Sequence, residues 1–208
     1  MGVAACAAGI ALGATAAQAA DVRGVEVRPG TPGLELTAAA GERNDVRVVQ
    51  NLHPSTSSPG SLDTITVADR GATLTTGGDH PCRLLSAHKA RCVSFAASWA
   101  TVELSLGDGP DRVRMPSLSG YPATTIYSNG GDGNRFYVRG TNTWVWGAGT
   151  GDLVRFRPPG GGGVIAGGSP RLWLVDGAAE SVECRTAGDP RIFADPLDTV
   201  SYCGSASP

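Results

Sequence analysis

Residues 101–115 read TVELSLGDGPDRVRM: a short apolar strand, a turn rich in Gly and Asp, and a second short apolar strand. The same plan recurs in TTIYSNGGDGNRFYV (124–138), NTWVWGAGTGDLVRF (142–156), GGVIAGGSPRLWLV (162–175) and SVECRTAGDPRIF (181–193). One such unit is too small to bury its own apolar face, so successive units are expected to stack and pair their strands. The repeat predicts an all-β fold, with a short right-handed parallel β-solenoid of about five coils over residues 101–208.

The residue that follows each turn sets the register of the predicted coils. We assign one inward side chain to each unit, and these are Val113, Tyr137, Val154, Leu172 and Ile192. The spacings between them are 24, 17, 18 and 20 residues. The second unit also aligns on Phe136 or Val138, and a slip of one residue turns the buried face outward. Gly-rich hairpins in a β-sandwich give similar spacings, so that fold is the alternative.

The part of the chain before the repeats also favours strands. Glycine (30 residues) and proline (14) recur so often that no window holds an apolar 3.6-residue period long enough to predict a helix. Short runs of alternating polarity occur at 25–27, 34–36, 46–49 and 65–67. Residues 21–100 are therefore predicted to form a β-rich N-terminal capping region.

The first 20 residues, MGVAACAAGIALGATAAQAA, contain no charged side chain and end in the small-residue pattern Ala17-Gln18-Ala19 before Ala20. This composition is typical of a signal peptide, although it lacks a basic n-region. A transmembrane anchor is the alternative, but the stretch is rich in Ala and Gly and has no basic flank. Residues 1–20 are therefore predicted to be a signal peptide, and the mature protein is predicted to be secreted and free of the membrane.

Cys6 lies in this segment, which leaves Cys82, Cys92, Cys184 and Cys203. An even number of cysteines in an exported chain indicates disulfides, and four allow three pairings. The pairs Cys82–Cys92 and Cys184–Cys203 are predicted because each encloses a short loop within its own half. A zinc site is the alternative, but no Cys-x-x-Cys spacing occurs.

Charge gives little indication of a partner. The 17 basic and 19 acidic side chains leave a net charge of −2 and are scattered along the sequence. No basic stripe that could follow phosphates is visible, so nucleic-acid binding is not expected.

The first turn, LGDGPDRVR at residues 106–114, fits the nonapeptide G-G-x-G-x-D-x-U-x at every fixed place except the first. Here the chain resembles hemolysin-type (RTX-like) calcium-binding repeat proteins, and in particular the secreted actinobacterial type with degenerate repeats behind a β-rich leader. Three further segments are similar to those proteins: TAAAGERNDV (37–46), the cysteine segment at 82–92, and the closing ADPLDTV (194–200). The resemblance implies a solenoid that binds Ca²⁺ in its turns.

Calcium accepts six to eight oxygen ligands, and the resemblance implies that turn carbonyls and carboxylates supply them. The candidate metal ligands are Asp108, Asp111, Asp132 and Asp152. Arg135 occupies the sixth place of the second unit, and the fourth unit has no acid, so binding is expected to be weak. The alternative is that these acids are ordinary turn residues.

A glycan-binding or interaction module is the second hypothesis for function, because aromatic rings pack well on sugars and cations. The candidate platform is Tyr137, Trp144, Trp146 and Trp173. Trp144 and Trp146 alternate through Val145 and so point to the same side of a strand. Burial in the core is the expectation for both.

No catalytic residue is predicted, and the protein is not expected to be an enzyme. The histidines available as a base, His53, His80 and His88, all lie in the leader and are expected at the surface. A polysaccharide-cleaving solenoid is the alternative, with candidate acids Asp111, Asp152 and Asp189 and candidate partners Arg135, Arg155, Arg171 and Arg191.

Overall fold

The structure is a computed structural model that describes residues 19–28, 31–53, 62–79, 81–94, 99–116, 123–128, 131–139, 142–157, 161–185 and 188–203. These residues form 18 β-strands and no helix. The leader contributes β1 (Ala19–Arg28), β2 (Thr31–Thr37), β3 (Asp45–His53), β4 (Leu62–Asp69), β5 (Thr73–Gly78), β6 (Cys82–Ser86) and β7 (Lys89–Ser94). Across all the ranges given above, no helix is long and apolar enough to cross a membrane.

The repeats contribute one strand pair each. The pairs are β8 (Thr101–Ser105) with β9 (Arg112–Met115), β10 (Ala123–Tyr127) with β11 (Arg135–Arg139), β12 (Thr143–Ala148) with β13 (Leu153–Arg157), β14 (Gly162–Ala166) with β15 (Arg171–Trp173), and β16 (Glu180–Cys184) with β17 (Arg191–Phe193). The last strand is β18 (Thr199–Ser201).

Two nine-stranded sheets build the protein. Sheet 1 has the order β18-β16-β14-β12-β10-β8-β2-β1-β5, and sheet 2 has the order β17-β15-β13-β11-β9-β3-β4-β7-β6. Each repeat sends its first strand to sheet 1 and its second to sheet 2, and every pair from β8 to β18 is parallel. The predicted parallel β-solenoid is confirmed, and it completes about four turns.

The leader is continuous with the repeats. Its strands pair antiparallel with one another in both sheets, except that β1 pairs parallel with β5. Strand β2 then pairs parallel with β8, and β3 with β9, so both sheets run through the predicted boundary near residue 100.

Inward side chains stack in columns because the parallel pairs are in register. The column in sheet 1 consists of Leu36, Leu104, Ile126, Val145, Val164, Val182 and Val200, and the column in sheet 2 consists of Val46, Val113, Phe136, Val154, Leu172 and Ile192. Four of the five predicted core positions are therefore right. The prediction of Tyr137 is wrong by one residue: Phe136 is fully buried, and Tyr137 points outward.

The coils approach one another closely at their turns, and glycine makes this possible. A Cβ at Gly109 would lie 1.7 Å from the carbonyl oxygen of Glu42, and one at Gly131 would lie 2.3 Å from the carbonyl oxygen of Gly109. Any larger residue at these places would force the coils apart.

Both predicted disulfides are confirmed. Cys82 and Cys92 join the antiparallel strands β6 and β7, and Cys184 and Cys203 tie the end of β16 to the last turn. Residues 1–18 of the predicted signal segment lie outside the described residues. Ala19 and Ala20 begin β1, where Ala20 is fully buried opposite Leu74 of β5.

The register can be tested by truncating two adjacent side chains. Phe136→Ala empties a core position and should lower the free energy of unfolding by about 3–5 kcal/mol. Tyr137→Ala removes an outward ring and should cost less than half as much. Urea unfolding of the two oxidised variants measures the difference, and equal losses would contradict the register.

Candidate functional site

The four predicted calcium ligands fall into two groups. Asp111 and Asp152 are buried at the corner where the chain enters sheet 2, two coils apart. Asp108 and Asp132 lie in the turns and are exposed, with Asp108 accepting a hydrogen bond from the backbone N–H of Gly41. The structure therefore does not bring the four carboxylates together around one point.

Asp111 and Asp152 belong to a continuous line of buried side chains, which we call the corner ladder: Asn44, Asp111, Asn134 and Asp152 in successive coils. The backbone N–H of each of the first three residues donates to the side-chain oxygen of the ladder residue one coil farther on. The distances are 2.7 Å from Asn44 N to Asp111 Oδ1, 2.6 Å from Asp111 N to Asn134 Oδ1, and 2.8 Å from Asn134 N to Asp152 Oδ1. The ladder satisfies backbone donors that the turns would otherwise leave buried and unpaired.

The Oδ2 atoms of Asp111 and Asp152 differ in their hydrogen bonding. Asp152 Oδ2 accepts the backbone N–H of Gly149 at 2.7 Å, whereas Asp111 Oδ2 has no hydrogen-bond partner among the described residues. Burial raises the pKa of Asp111 to about 6. No group of three or more His, Cys, Asp or Glu side chains is placed to hold a metal ion in the described ranges. Calcium binding stays a prediction, and a calcium-selective rise in thermal midpoint is the result that would support it.

A second set of acids lies near the C-terminal end. Asp195 and Asp198 each accept backbone N–H groups with both carboxylate oxygens. Glu180 points inward from β16, is only 2% exposed, and neither of its oxygens accepts a hydrogen bond from the described residues. Burial raises the pKa of Glu180 to about 8, together with the hydrogen bond that its protonated form makes to Asp198 and the negative charges of Asp176, Asp198 and Asp195.

The raised pKa makes the contribution of Glu180 to stability depend on pH. The folded protein keeps a proton on Glu180 that the unfolded chain loses above its ordinary pKa of about 4.5. Stability therefore falls as the pH rises from about 4.5 to about 8. Glu180→Gln stays neutral at every pH, so its thermal midpoint should match that of the wild type near pH 4.5 and exceed it at pH 8.5. The difference should be roughly 2–4 °C for each kcal/mol of unfolding free energy that the wild type loses between the two pH values.

Glu183→Gln is the matched control because Glu183 lies on the same strand, points outward, and is hydrogen-bonded to Arg185. It should show no such pH-dependent gain in differential scanning fluorimetry. A Glu180→Gln difference that is the same at both pH values would contradict the assignment.

The four aromatic residues of the predicted platform lie on opposite faces of the protein. Trp144 and Trp146 point outward from sheet 1, and Tyr137 and Trp173 point outward from sheet 2. The expectation that both tryptophans of β12 are core residues is wrong, because Val145 between them takes the inward place. A single platform of all four rings is therefore not formed.

Sheet 2 carries an outward column that joins cations to aromatic rings. The pairing registers place the following side chains side by side on eight successive strands, from β7 to β17: Lys89, Ala68, Arg47, Arg114, Tyr137, Arg155, Trp173 and Phe193. In the sequence these residues alternate with core residues. In the folded strands the core residues point inward and these residues point outward. We call this column, with the basic residues beside it, the arginine face.

The flanking positions make the face strongly basic. A second outward column consists of Asp45, Arg112, Arg135, Leu153, Arg171 and Arg191, and further outward cations are Arg91, Arg139 and Arg157. Asp45 is the one acid of these columns and pairs with Arg114 at 2.6 Å. Eleven of the chain's 17 basic residues thus share one face. The expectation that charge is scattered is wrong in three dimensions.

Two guanidinium groups of the arginine face lie over aromatic rings. Arg112 lies over the ring of Tyr137 at 5.2 Å, and Arg155 lies over the ring of Trp173 at 5.7 Å. The other neighbour of Trp173 in the column is Phe193, whose ring centre is 4.8 Å away. The guanidinium groups of Arg112 and Arg155 are therefore positioned by rings of the protein itself, and Trp173 lies between Arg155 and Phe193 in the column.

Three shallow grooves lie along the outward column of the arginine face, and a fourth, of about 350 Å³, lies beside them at Arg112 and Arg135. The first, of about 330 Å³, lies between β7 and β9 and includes Lys89 and Arg47. The second, of about 440 Å³, includes Tyr137 and Arg157 and shares Arg47 and Arg114 with the first. The third, of about 280 Å³, is bounded by Arg171, Trp173, Arg191 and Phe193. An elongated anion fits such a series better than a compact one.

Of the residues considered for a cleaving enzyme, Asp111 and Arg135 line one groove of about 350 Å³, and Asp189 is exposed in the turn before β17. Arg135, Arg155, Arg171 and Arg191 lie on the arginine face, whereas Asp111 and Asp152 are buried in the corner ladder. His88 is exposed, as predicted, and its Nδ1 lies 2.7 Å from the carbonyl oxygen of Ala72. His80 lies outside the described residues, as does the side chain of His53.

Comparisons with protein-family models, with curated proteins and with solved structures find no match to the chain. The resemblance to calcium-binding repeats therefore rests on its motifs alone. The arginine face was missed because charges were counted along the chain instead of by strand position. Aligning the strands after each turn, RVRM, RFYVR, LVRFR, RLW and RIF, would have exposed the recurring outward arginine.

Proposed function

We propose that this protein is an exported, non-enzymatic binding module for acidic polysaccharides, and that the arginine face holds the polymer. The observation that carries the proposal is the outward column of sheet 2, in which cations and aromatic rings occupy neighbouring places on consecutive strands. Export is part of the proposal, since disulfides such as Cys82–Cys92 and Cys184–Cys203 persist in oxidising compartments.

The charge of the face supports an anionic ligand. Among the described residues, no acid forms a salt bridge with Arg47, Arg135, Arg157, Arg171 or Arg191, all of which are exposed. A guanidinium can donate two parallel hydrogen bonds to one carboxylate or sulfate group. A row of such groups therefore favours a ligand that repeats the same acidic group along its length.

The rings favour a sugar polymer over a single-stranded nucleic acid. Proteins that bind single strands offer free aromatic faces on which bases stack. Here Trp173 lies between Arg155 and Phe193, so the column offers aromatic edges and guanidinium forks. Trp173 is 41% exposed and Phe193 is 47% exposed, which leaves apolar surface beside the forks for the C–H groups of a sugar ring.

Binding to polygalacturonate, measured by biolayer interferometry, tests the proposal. Arg155→Gln should weaken binding at least tenfold, since a charge-assisted hydrogen bond contributes about 1.5–3 kcal/mol. Added salt should weaken it further because the pairs are exposed. Arg185→Gln is the matched control: Arg185, which follows β16, also lies over a tryptophan, Trp146 of sheet 1 at 5.0 Å, and its loss should leave affinity unchanged.

Neutral dextran, single-stranded DNA and phosphatidylserine vesicles are the competing ligands. Binding to polygalacturonate with none to dextran supports the proposal. Failure to bind polygalacturonate overturns it, and capture of DNA or vesicles in that case would assign the arginine face to a different anion. Equal losses from Arg155→Gln and Arg185→Gln would also contradict it, because they would show that position on sheet 2 does not matter.

A further inference from the structure

The direction in which a polymer lies on the arginine face follows from where the cations repeat. Six neighbouring strands of sheet 2, β3, β9, β11, β13, β15 and β17, each carry at least one outward arginine. Along any one of these strands, in contrast, there are at most two. The repeat of positive charge therefore runs across the strands, parallel to the solenoid axis.

The regularity of this repeat comes from the pairing. From β9 to β17 the registers in sheet 2 are continuous and contain no bulge. Neighbouring strands lie about 4.8 Å apart, so β3 and β17 are separated by roughly 24 Å. A linear acidic polymer that lies along the axis between the two outward columns can thus meet a guanidinium from one column or the other at each strand step.

The series of grooves also runs parallel to the solenoid axis. The first two share Arg47 and Arg114, and the third continues on β13, β15 and β17. A chain lying along a single strand would cross this series and occupy one groove only. A chain lying along the axis would occupy all three.

Resting on the function proposed above, we infer that the ligand is an extended acidic polysaccharide bound parallel to the solenoid axis, with Arg47 near one end of its path and Arg191 near the other. A polymer bound in this way needs about five strand steps of length to make every contact. Shorter pieces reach only part of the face.

A length series of oligogalacturonates, from two to ten sugars, tests the inference by isothermal titration calorimetry. Affinity should rise at least tenfold between the trimer and the octamer and then level off, with one oligomer bound per protein. For the octamer, Arg47→Gln and Arg191→Gln should each weaken binding at least threefold. Arg23→Gln, an exposed change on sheet 1, should not. Thermal midpoints near the wild-type value establish that the variants are folded.

The outcomes separate this inference from the proposed function. If the trimer binds as tightly as the octamer, or if only one of the two end variants weakens the octamer, the axial path is wrong and polysaccharide binding still stands. If neither polygalacturonate nor any oligomer binds, both proposals fail.

Discussion

In-register parallel pairing between coils is the constraint on which the rest of this structure depends. Because side chains alternate across a strand, pairing that keeps its register from coil to coil stacks like positions on like positions. Among the described parallel pairs the register shifts only at the end of β12, after Val145 has paired with Val164. Inward positions become the continuous apolar columns of the core, as with Val113, Phe136 and Val154. The same pairing acts on the outward positions, so the arginines of successive repeats come to lie in two neighbouring columns on sheet 2.

The turns make this pairing possible at a cost in buried polar groups. Gly109 and Gly131 let the coils meet at their corners, and the corner ladder from Asn44 to Asp152 supplies acceptors for the backbone N–H groups left there. Asp111 and Asp152 therefore have a structural role that explains their recurrence without an ion. In the later coils the same place holds Pro170 and Pro190, which have no N–H to satisfy.

Much of the fold could be predicted from the sequence, because it depends on local signals repeated in every unit. The strand-turn-strand plan gave the solenoid, and short loops gave both cysteine pairs. The register at Tyr137 failed because Phe136, Tyr137 and Val138 are all apolar enough for the core, and only pairing with Val113 and Val154 decides among them. The arginine face was not predicted since it exists only after stacking: residues as distant as Arg47 and Arg114 become neighbours through a pairing that no local pattern encodes.

The most direct test of the account is the nuclear magnetic resonance spectrum of the arginine side chains, observed at Nε–Hε while polygalacturonate is added. The account predicts that the signals of sheet 2, among them Arg47, Arg155 and Arg191, shift together, and that those of Arg23 on sheet 1 and Arg185, which follows β16, stay in place. Shifts confined to sheet 1, or none at saturating polymer, would contradict the claim that stacking of the coils creates an anion-binding face.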